Sequence, residues 1–181
     1  MREAVVVPYD PTWADRFETL RSRIWEGVRD IAVSIEHVGS TAVIGLAAKP
    51  IIDMTVVVGS RADVPIAIER LGKLGYDHRG DLGIPGRETF LAPADLPAHH
   101  LYLCAQGSTA LANHLTVRDC LRTHPEAARL YGALKEHFAV QFRDDIDGYV
   151  EAKTEFLISI LAQAGFAPDV LADIVSANRK R

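Results

Sequence analysis

Two hydrophobic patterns divide this chain. Up to about residue 105, short runs rich in β-branched residues alternate with segments whose apolar residues recur at helical spacing. The short runs predict strands at 4–7, 33–38, 50–58, 76–79, 87–92 and 101–105. The helical spacing predicts helices at 10–31 and 61–75, and then, without intervening strands, at 108–124, 125–142, 145–165 and 167–181. Strands mixed with helices, followed by helices alone, predict an α+β fold.

Length and composition fit a single globular domain. The chain has 181 residues, of which 48% are apolar, so it can bury a sizeable core. We therefore predict one domain over residues 1–181, with an α/β half at 1–105 and a helical half at 106–181. Cys104 and Cys120 are the only cysteines, and they form neither a disulfide framework nor a metal-type spacing.

Charge and hydropathy limit the functional classes. Twenty basic and twenty-four acidic residues give a net charge of −4, which argues against general nucleic-acid binding but leaves room for a local basic pocket. No apolar run reaches membrane-spanning length, and the N-terminal residues lack a long apolar segment of the secretory type. We expect a cytoplasmic protein with free thiols that does not enter a membrane.

The stretch EHVGSTAVIGLAAKPIID, residues 36–53, carries candidate chemistry between two predicted strands. Gly39 lets the backbone approach a ligand, and successive amides together with the Ser40 hydroxyl can hold phosphate oxygens. Asp53 lies among apolar neighbours, where a carboxylate needs a hydrogen bond, an ion pair or a metal. From these residues alone, Asp53 is either a metal ligand or a carboxylate that caps the turn or pairs with Lys49.

Cationic residues on three predicted helices fall on the sides that pack inward. At 100° per residue, Lys153 lies in the middle of an apolar arc, Lys135 lies at the edge of another, and Arg118 and Arg122 are one turn apart. These cations predict a focused anion pocket suited to a nucleoside triphosphate or another polyphosphate. The alternative is internal salt bridging, for which the candidate partners are Asp119, Asp147 and Glu151.

Three other polar residues have two interpretations each. His37 either contacts phosphate or braces the Gly-Ser turn. His100 begins a strand next to His99, and it either serves the site or makes a structural hydrogen bond. Glu88 either supplies a carboxylate from a neighbouring strand or is a solvated edge residue.

The arrangement resembles two known groups of proteins. Nucleotidyltransferases of the polymerase-beta type place a Gly-Ser turn after one strand and a magnesium-binding carboxylate on the next, a pattern that Gly39, Ser40 and Asp53 match. A closer resemblance is to the GrpB family, which is itself placed in that superfamily. It rests on blocks that run in family order from about residue 5 to 165: VVVPYDPTWADRFETLR, IEHVGSTAVIGLAAKPIIDMTVVV, GIPGRETF, HHLYL, VRDCLRTHPEAARLYGALKEHF and YVEAKTEFLISIL.

The GrpB resemblance implies a nucleotidyltransferase-like mixed sheet with flanking helices, followed by a C-terminal helical lobe. It does not imply one particular activity, and in some bacteria such a domain is fused behind dephospho-coenzyme A kinase. The chain departs from the pattern at two positions that bear on metal binding. Thr55 stands where the second acid of a nucleotidyltransferase is usual, and Tyr102 replaces a histidine.

Two functions follow as hypotheses. The first is a nucleotidyltransferase that binds a nucleoside triphosphate with Mg²⁺ and transfers a nucleotide to an unknown acceptor. The second is a non-catalytic domain that binds a nucleotide or phosphometabolite or assists folding, with a protein partner left open. The expected catalytic residues are Asp53, Ser40 and His100, and the expected metal ligands are Asp53, Glu36 and Glu88. The expected nucleotide-binding residues are Gly39, Ser40, Thr41, His37, Lys49, Arg118, Arg122, Lys135 and Lys153.

Overall fold

A computed structural model describes residues 5–179, with Arg179 described by its backbone only. Its elements follow the predicted order. The strands are β1 Ala32–Val38, β2 Ile52–Val58, β3 Asp77–His78, β4 Arg87–Leu91 and β5 His99–Ala105. The helices are α1 Thr12–Val28, α2 Val64–Lys73, α3 Thr109–Thr123, α4 Pro125–Gln141, α5 Ile146–Gln163 and α6 Pro168–Arg179. One-turn 3₁₀ helices cover Ser40–Ala42 and Arg61–Asp63.

The predicted strand at 4–7 is the main departure in secondary structure. Ala4 lies outside the described residues, and within them Val7 forms a single antiparallel bridge with Ala48. The end of the last predicted helix, Lys180 and Arg181, is likewise outside them. In residues 5–179, no helix combines the length and the apolar character that a membrane crossing requires.

The five strands form one mixed sheet in the order β1-β2-β5-β4-β3. The central pair, β2 and β5, is parallel, and the other neighbours are antiparallel. Mixed pairing of this kind, with helices on both faces, confirms the α+β prediction. The register places Asp53 of β2 opposite His100 of β5 on one side and Val38 of β1 on the other.

Because side chains alternate along a strand, one face of the sheet joins the main hydrophobic core and the other carries Asp53. Ile52, Met54 and Val56 point to the face covered by α1 and α2, where they join the main hydrophobic core with Trp13 and Leu71. Asp53, Thr55 and Val57 point to the opposite face, which α3, α5 and α6 cover. We call this second face the site face.

The helical half is held to the site face by a smaller core. Val43 and Leu46, from the loop after the Gly-Ser turn, pack with Leu121 of α3, Tyr131 of α4 and Ile160 of α5. Because this loop contacts all three helices, the helices are fixed relative to the end of β1. The packing therefore sets which side chains of α3, α4 and α5 reach the turn.

Candidate functional site

The turn after β1 is shaped around the Asp53 carboxylate. Gly39 has φ +67° and ψ −168°, and a Cβ added there would lie 2.4 Å from Asp53 Oδ2. Any larger residue would overlap the carboxylate and would also adopt a left-handed φ. Glycine is therefore required for close approach as well as for conformation, and the 3₁₀ turn that begins at Ser40 stands directly beside Asp53.

Asp53 and His100 form a hydrogen-bonded pair on adjacent strands. His100 Nδ1 lies 2.9 Å from Asp53 Oδ1, and because an ionised carboxylate can only accept, the imidazole donates. Its Nε2 is thus the ring nitrogen left to face a ligand. Asp53 is half-buried and His100 is exposed, and both line a cleft of about 820 Å³ together with Ser40 and Thr41.

Three lysines and two tyrosines, Tyr102 and Tyr149, also line this cleft, which we call the lysine cleft. Lys49 Nζ and Lys153 Nζ each lie 4.5 Å from the centroid of the Tyr149 ring, and Lys135 Nζ lies 4.6 Å from that of Tyr131. Lys135 Nζ also donates to the backbone carbonyl of Ala47. Ring faces attract ammonium groups without neutralising them.

Burial changes the protonation of these lysines. Lys135 is only 2% exposed, and burial lowers its pKa to about 7, with the neighbouring Lys153 ammonium adding to the decrease. Burial also lowers the pKa of Lys49. An anion that enters the cleft would reverse this effect, because it stabilises the charged ammonium.

The two arginines of the predicted anion pocket do not line the lysine cleft. Arg118 donates to Glu36 Oε2 at 2.7 Å and to Asp119 Oδ1 at 2.7 Å, and it also reaches the carbonyl of His37. Arg122 donates through Nε to the carbonyl of Ala42 at 2.9 Å. In the structure these arginines donate to backbone carbonyls before and after the turn, so they lie behind it and not with the lysines, and their part in anion binding stays a prediction.

His37 also lies behind the turn. Its Nε2 is 3.0 Å from Thr41 Oγ1, and its ring stacks on Phe17 with centroids 4.5 Å apart. Burial lowers the pKa of His37 to about 4, and the Arg122 charge adds to the decrease, so the ring is neutral at physiological pH. Of the two interpretations, the contacts favour bracing, while Thr41 reaches the lysine cleft from the same turn.

The expected metal ligands are not brought together. Glu36 shares the site face with Asp53, but it binds Arg118. Burial is the largest single influence on the pKa of Glu36 and acts to raise it, but the hydrogen bonds from Arg118 and Ser34 and the charge of Arg118 together outweigh burial, so the pKa is lowered. Glu88 is paired with Leu103 and points to the opposite face, where its Oε2 lies 2.6 Å from His78 Nε2.

Thr55 occupies the position at which a nucleotidyltransferase usually has its second acidic residue. Thr55 is fully buried, and its Oγ1 lies 3.0 Å from Nδ1 of His114 on α3. Among residues 5–179, no group of three or more histidine, cysteine, aspartate or glutamate side chains is arranged to hold a metal ion. The donor set therefore does not fit a two-metal centre, although one carboxylate, Asp53, fits a single Mg²⁺ that arrives with phosphate oxygens.

The sequence analysis missed the site roles of Tyr131, Tyr149 and His114. Each of the two tyrosines stands four residues before a lysine, Lys135 or Lys153, in a predicted helix. That spacing places both side chains on one side of a helix and could have revealed the ring–ammonium contacts. No comparable signal links His114 to Thr55, because their contact joins a strand to a distant helix.

Comparison with known proteins identifies the family. The profile described as GrpB protein matches residues 3–163. The chain belongs to the GrpB family. UPF0157 protein YqkA of Bacillus subtilis is 35% identical over 156 residues, which cover 86% of this chain and 46% of YqkA, so the chain spans just under half of that relative. The glutamate-rich protein GrpB of Alkalihalophilus pseudofirmus is 31% identical, over 88% of this chain and 94% of that protein.

One relative is named as an enzyme. Dephospho-CoA kinase of Mycolicibacterium paratuberculosis is 26% identical over 173 residues, which cover 82% of this GrpB-family chain and 42% of that protein. The matched region is thus one part of a longer chain. The resemblance to the GrpB family expected from the sequence is confirmed.

Solved structures show the fold of this GrpB-family chain. GrpB from Enterococcus faecalis superposes with a TM-score of 0.77 at 29% identity, over 88% of this chain and 99% of that one. GLD-2 in its complex with RNP-8 gives 0.58 at 12% identity, over 90% and 62%. Cid1 poly(U) polymerase with bound MgATP gives 0.52 at 11% identity, over 75% and 44%. The core is therefore nucleotidyltransferase-like.

Proposed function

We propose that this GrpB-family protein binds the polyphosphate of a nucleoside triphosphate in the lysine cleft and transfers the nucleotide to an acceptor. One observation carries the proposal: three lysines, Lys49, Lys135 and Lys153, line the cleft together with Ser40 and Asp53. In a chain of net charge −4, such local positive charge favours a compact anion.

The size of the cleft and the shape of the turn support a nucleotide as that anion. A volume of about 820 Å³ lies within the range of small-molecule and cofactor sites. The turn at Gly39 brings backbone and the Ser40 hydroxyl close to one end of the cleft, where they can bind phosphate oxygens. The lysines then act as point charges around the remaining phosphates.

Nucleotidyl transfer needs a proton acceptor for the acceptor hydroxyl. The hydroxyl oxygen would bond to the α-phosphorus while the bond from phosphorus to the bridging oxygen breaks and pyrophosphate leaves. His100 Nε2 would take the hydroxyl proton, with Asp53 orienting the ring through Nδ1. The ammonium groups would stabilise the charge that develops on the departing pyrophosphate.

In the proposed function, a single Mg²⁺ would bind with the nucleotide. Asp53 is the residue that would hold Mg²⁺ beside the phosphates, where the ion would neutralise charge and align the α-phosphate. The proposal requires a single ion brought in with the nucleotide, since Glu36 and Glu88 are engaged elsewhere.

Calorimetry tests the binding half of the proposal. We expect ATP, GTP, CTP or UTP with Mg²⁺ to bind the intact chain with micromolar to millimolar affinity. Lys153→Ala should weaken that binding, and Lys73→Ala, an exposed lysine of α2 paired with Glu69, is the matched control that should not. No heat with any triphosphate at millimolar concentration would contradict nucleotide binding.

A non-catalytic binding domain is the second candidate function, and the Thr55–His114 pair favours it. With Thr55 at the second-acid position, β2 contributes one carboxylate, Asp53, to metal-assisted chemistry, and the other aspartate that lines the cleft, Asp147, comes from α5. The likeness to one part of a dephospho-CoA kinase fits such an accessory role.

Label transfer separates the two functions. With a triphosphate labelled at the α-phosphate and a small-molecule extract as the source of acceptors, an enzyme would give a labelled product. The label should be absent with Asp53→Asn and reduced with His100→Gln, while Lys73→Ala behaves as the parent protein. Binding without any transferred label would favour the accessory domain.

A further inference from the structure

A cavity of about 610 Å³ lies behind the Gly-Ser turn, and we call it the rear pocket. Ala14 of α1, Leu121 and Arg122 of α3 and Ala128 of α4 line it, together with residues 41–45 of the loop. Among the described residues, Thr41 is the one that also lines the lysine cleft. The rear pocket and the lysine cleft are therefore separate cavities on two sides of one turn.

Apolar side chains form the walls of the rear pocket. Val43, Leu121 and Ala128 are buried members of the smaller hydrophobic core, so packing sets their positions. Ile44 also lines the pocket and is 84% exposed, so the pocket opens to solvent. Its volume lies within the range of small-molecule sites, and apolar walls with few polar groups are the usual composition of such a site.

Arg122 supplies the polar group that an organic anion would need. The side chain is exposed, and its Nε donates to the Ala42 carbonyl at 2.9 Å. Within residues 5–179 this is the one hydrogen bond that its guanidinium makes, so both terminal NH₂ groups are left for a ligand. A guanidinium anchored through Nε has less conformational entropy to lose on binding, and it offers a planar fork that matches a carboxylate.

No carboxylate side chain belongs to the described lining of the rear pocket. The other arginine there, Arg129, donates to Glu126 at 2.9 Å. Burial lowers the pKa of His37 to about 4, so its ring adds no charge. Arg122 is thus the cation without an acidic partner among these lining residues, and one guanidinium matches one negative charge.

Two acidic residues near Arg122 are bound by another arginine. Glu36 and Asp119 act to raise the pKa of Arg122, but each lies 2.7 Å from Arg118. Burial and the Arg118 charge outweigh them, so the pKa of Arg122 is lowered. A carboxylate beside Arg122 would reverse this decrease, because it stabilises the charged guanidinium.

We propose that the rear pocket binds a small organic molecule that has one carboxylate and an apolar body. The carboxylate accepts two hydrogen bonds from the terminal NH₂ groups of Arg122, and the body packs on Val43 and Leu121. The proposal does not depend on what binds in the lysine cleft. It assigns the chain a second ligand, held on the other side of the Gly-Ser turn from the proposed nucleotide.

Ligand-observed NMR with three related probes tests the inference on the intact chain. The probes are 3-phenylpropionate, the uncharged 3-phenylpropanamide and phenyl phosphate. The propionate should bind at millimolar concentration, and the amide should bind about tenfold more weakly, as expected for loss of a charge-assisted hydrogen bond. Phenyl phosphate should bind no more tightly than the propionate, because its second negative charge has no cation to meet.

Two substitutions locate the bound propionate. Arg122→Gln removes the fork but keeps an amide that can donate to the Ala42 carbonyl, and it should weaken binding about tenfold. Ala14→Trp places an indole in the pocket from an exposed position of α1, so it serves if Arg122→Gln fails to fold, and it should abolish binding.

Matched controls accompany both variants. Arg29→Gln removes an exposed arginine that pairs with Glu26, and Ala112→Trp adds an indole at an exposed position of α3 outside the pocket. Both controls should bind the propionate as the parent chain does. Lys153→Ala should do so too, because Lys153 lines the lysine cleft and not the rear pocket.

The outcomes decide the site and its ligand class. Absence of propionate binding, equal binding of propionate and amide, or binding that survives both Arg122→Gln and Ala14→Trp would overturn the rear pocket as a carboxylate site. So would binding that is lost in Lys153→Ala but kept in Arg122→Gln, since the propionate would then occupy the lysine cleft. Tighter binding of phenyl phosphate would overturn the preference for one negative charge.

Discussion

The cations around the Gly-Ser turn differ between its two sides. Behind the turn, Arg118 binds two carboxylates and a carbonyl, and Arg122 binds a carbonyl. In front of it, Lys49 and Lys153 lie against the face of Tyr149. The rear cations stabilise the fold of the turn, whereas the front cations give the cleft a positive surface.

Helical spacing does not distinguish the rear arginines from the front lysines, but the positions of the neighbouring acidic residues do. Asp119 follows Arg118 in sequence, and Glu36 stands on the edge strand that α3 contacts, so Arg118 meets acids on two sides. Of the three acids that the sequence suggested as partners, Asp119 takes part in these ion pairs of Arg118. The salt-bridge interpretation therefore applies to Arg118, and the anion pocket stays a prediction for the lysines.

The largest effect is expected at the glycine that separates the two sides. Gly39→Ala should lower the free energy of unfolding by about 3 kcal/mol, since the new Cβ overlaps the Asp53 carboxylate and adopts a left-handed φ. Gly45→Ala is the matched control, because Gly45 also has a positive φ (+80°) but has open space around it. It should cost about 1 kcal/mol. Equal losses in urea titrations would show that contact with Asp53 adds nothing.

Removing a rear arginine should affect stability more than pyrophosphate binding. Arg118→Ala leaves Glu36 without its buried partner, so we expect a loss of about 2 kcal/mol in the free energy of unfolding. Arg122→Ala, which removes one hydrogen bond to a carbonyl, should cost about 1 kcal/mol. Denaturant unfolding gives both values. If folded Arg118→Ala protein lost pyrophosphate binding as fully as a front lysine variant, the distinction between the two sides would fail.

Removing a front lysine should weaken anion binding more than it lowers stability. Lys153→Ala should weaken pyrophosphate binding about tenfold, because a partly desolvated ammonium is lost from the cleft. The free energy of unfolding should change by less than about 1 kcal/mol. Isothermal calorimetry and urea unfolding of the same preparation measure both, with Lys73→Ala as the control. A large loss of stability with little change in affinity would make Lys153 structural.

The smallest expected effect is a pH dependence of anion binding. Because the pKa of Lys135 is lowered to about 7, its ammonium loses its proton as the pH rises through neutrality. Sulfate, whose own charge is constant in this range, should bind about threefold more tightly near pH 6 than near pH 8. Lys135→Met should remove that part of the change, which thermal-shift titrations can follow. An unchanged pH profile in Lys135→Met would place the anion away from Lys135.

Local pattern was sufficient for much of the fold. Strand and helix order followed from β-branched runs and helical spacing, and Gly39, Ser40 and Asp53 could be placed together because β1 and β2 are consecutive. The pairing of β2 with β5 is different, since helix α2 and two other strands, β3 and β4, separate Asp53 from His100 in sequence. Their contact depends on register in a parallel pair, which spacing along one strand does not report.

The site was predictable to the extent that its contacts are local. Tyr149 and Lys153 could have been paired from their spacing, whereas the direction of Glu88 depended on where β4 enters the sheet. A shift of one residue in register would have turned Glu88 toward Asp53 and Arg87 away from it. The sequence therefore did not determine which face of the sheet the alternating residues of a strand point to.

The contact between Thr55 and His114 has a consequence for how this site could change over generations. An aspartate introduced at 55 would be enclosed without water and would meet an imidazole, so it would form an Asp–His pair before it could serve a cation. Gain of a second acidic ligand therefore requires coordinated replacement at 114, on a different element. We therefore expect positions 55 and 114 to be epistatic, because the side chain at one sets what the other can accommodate.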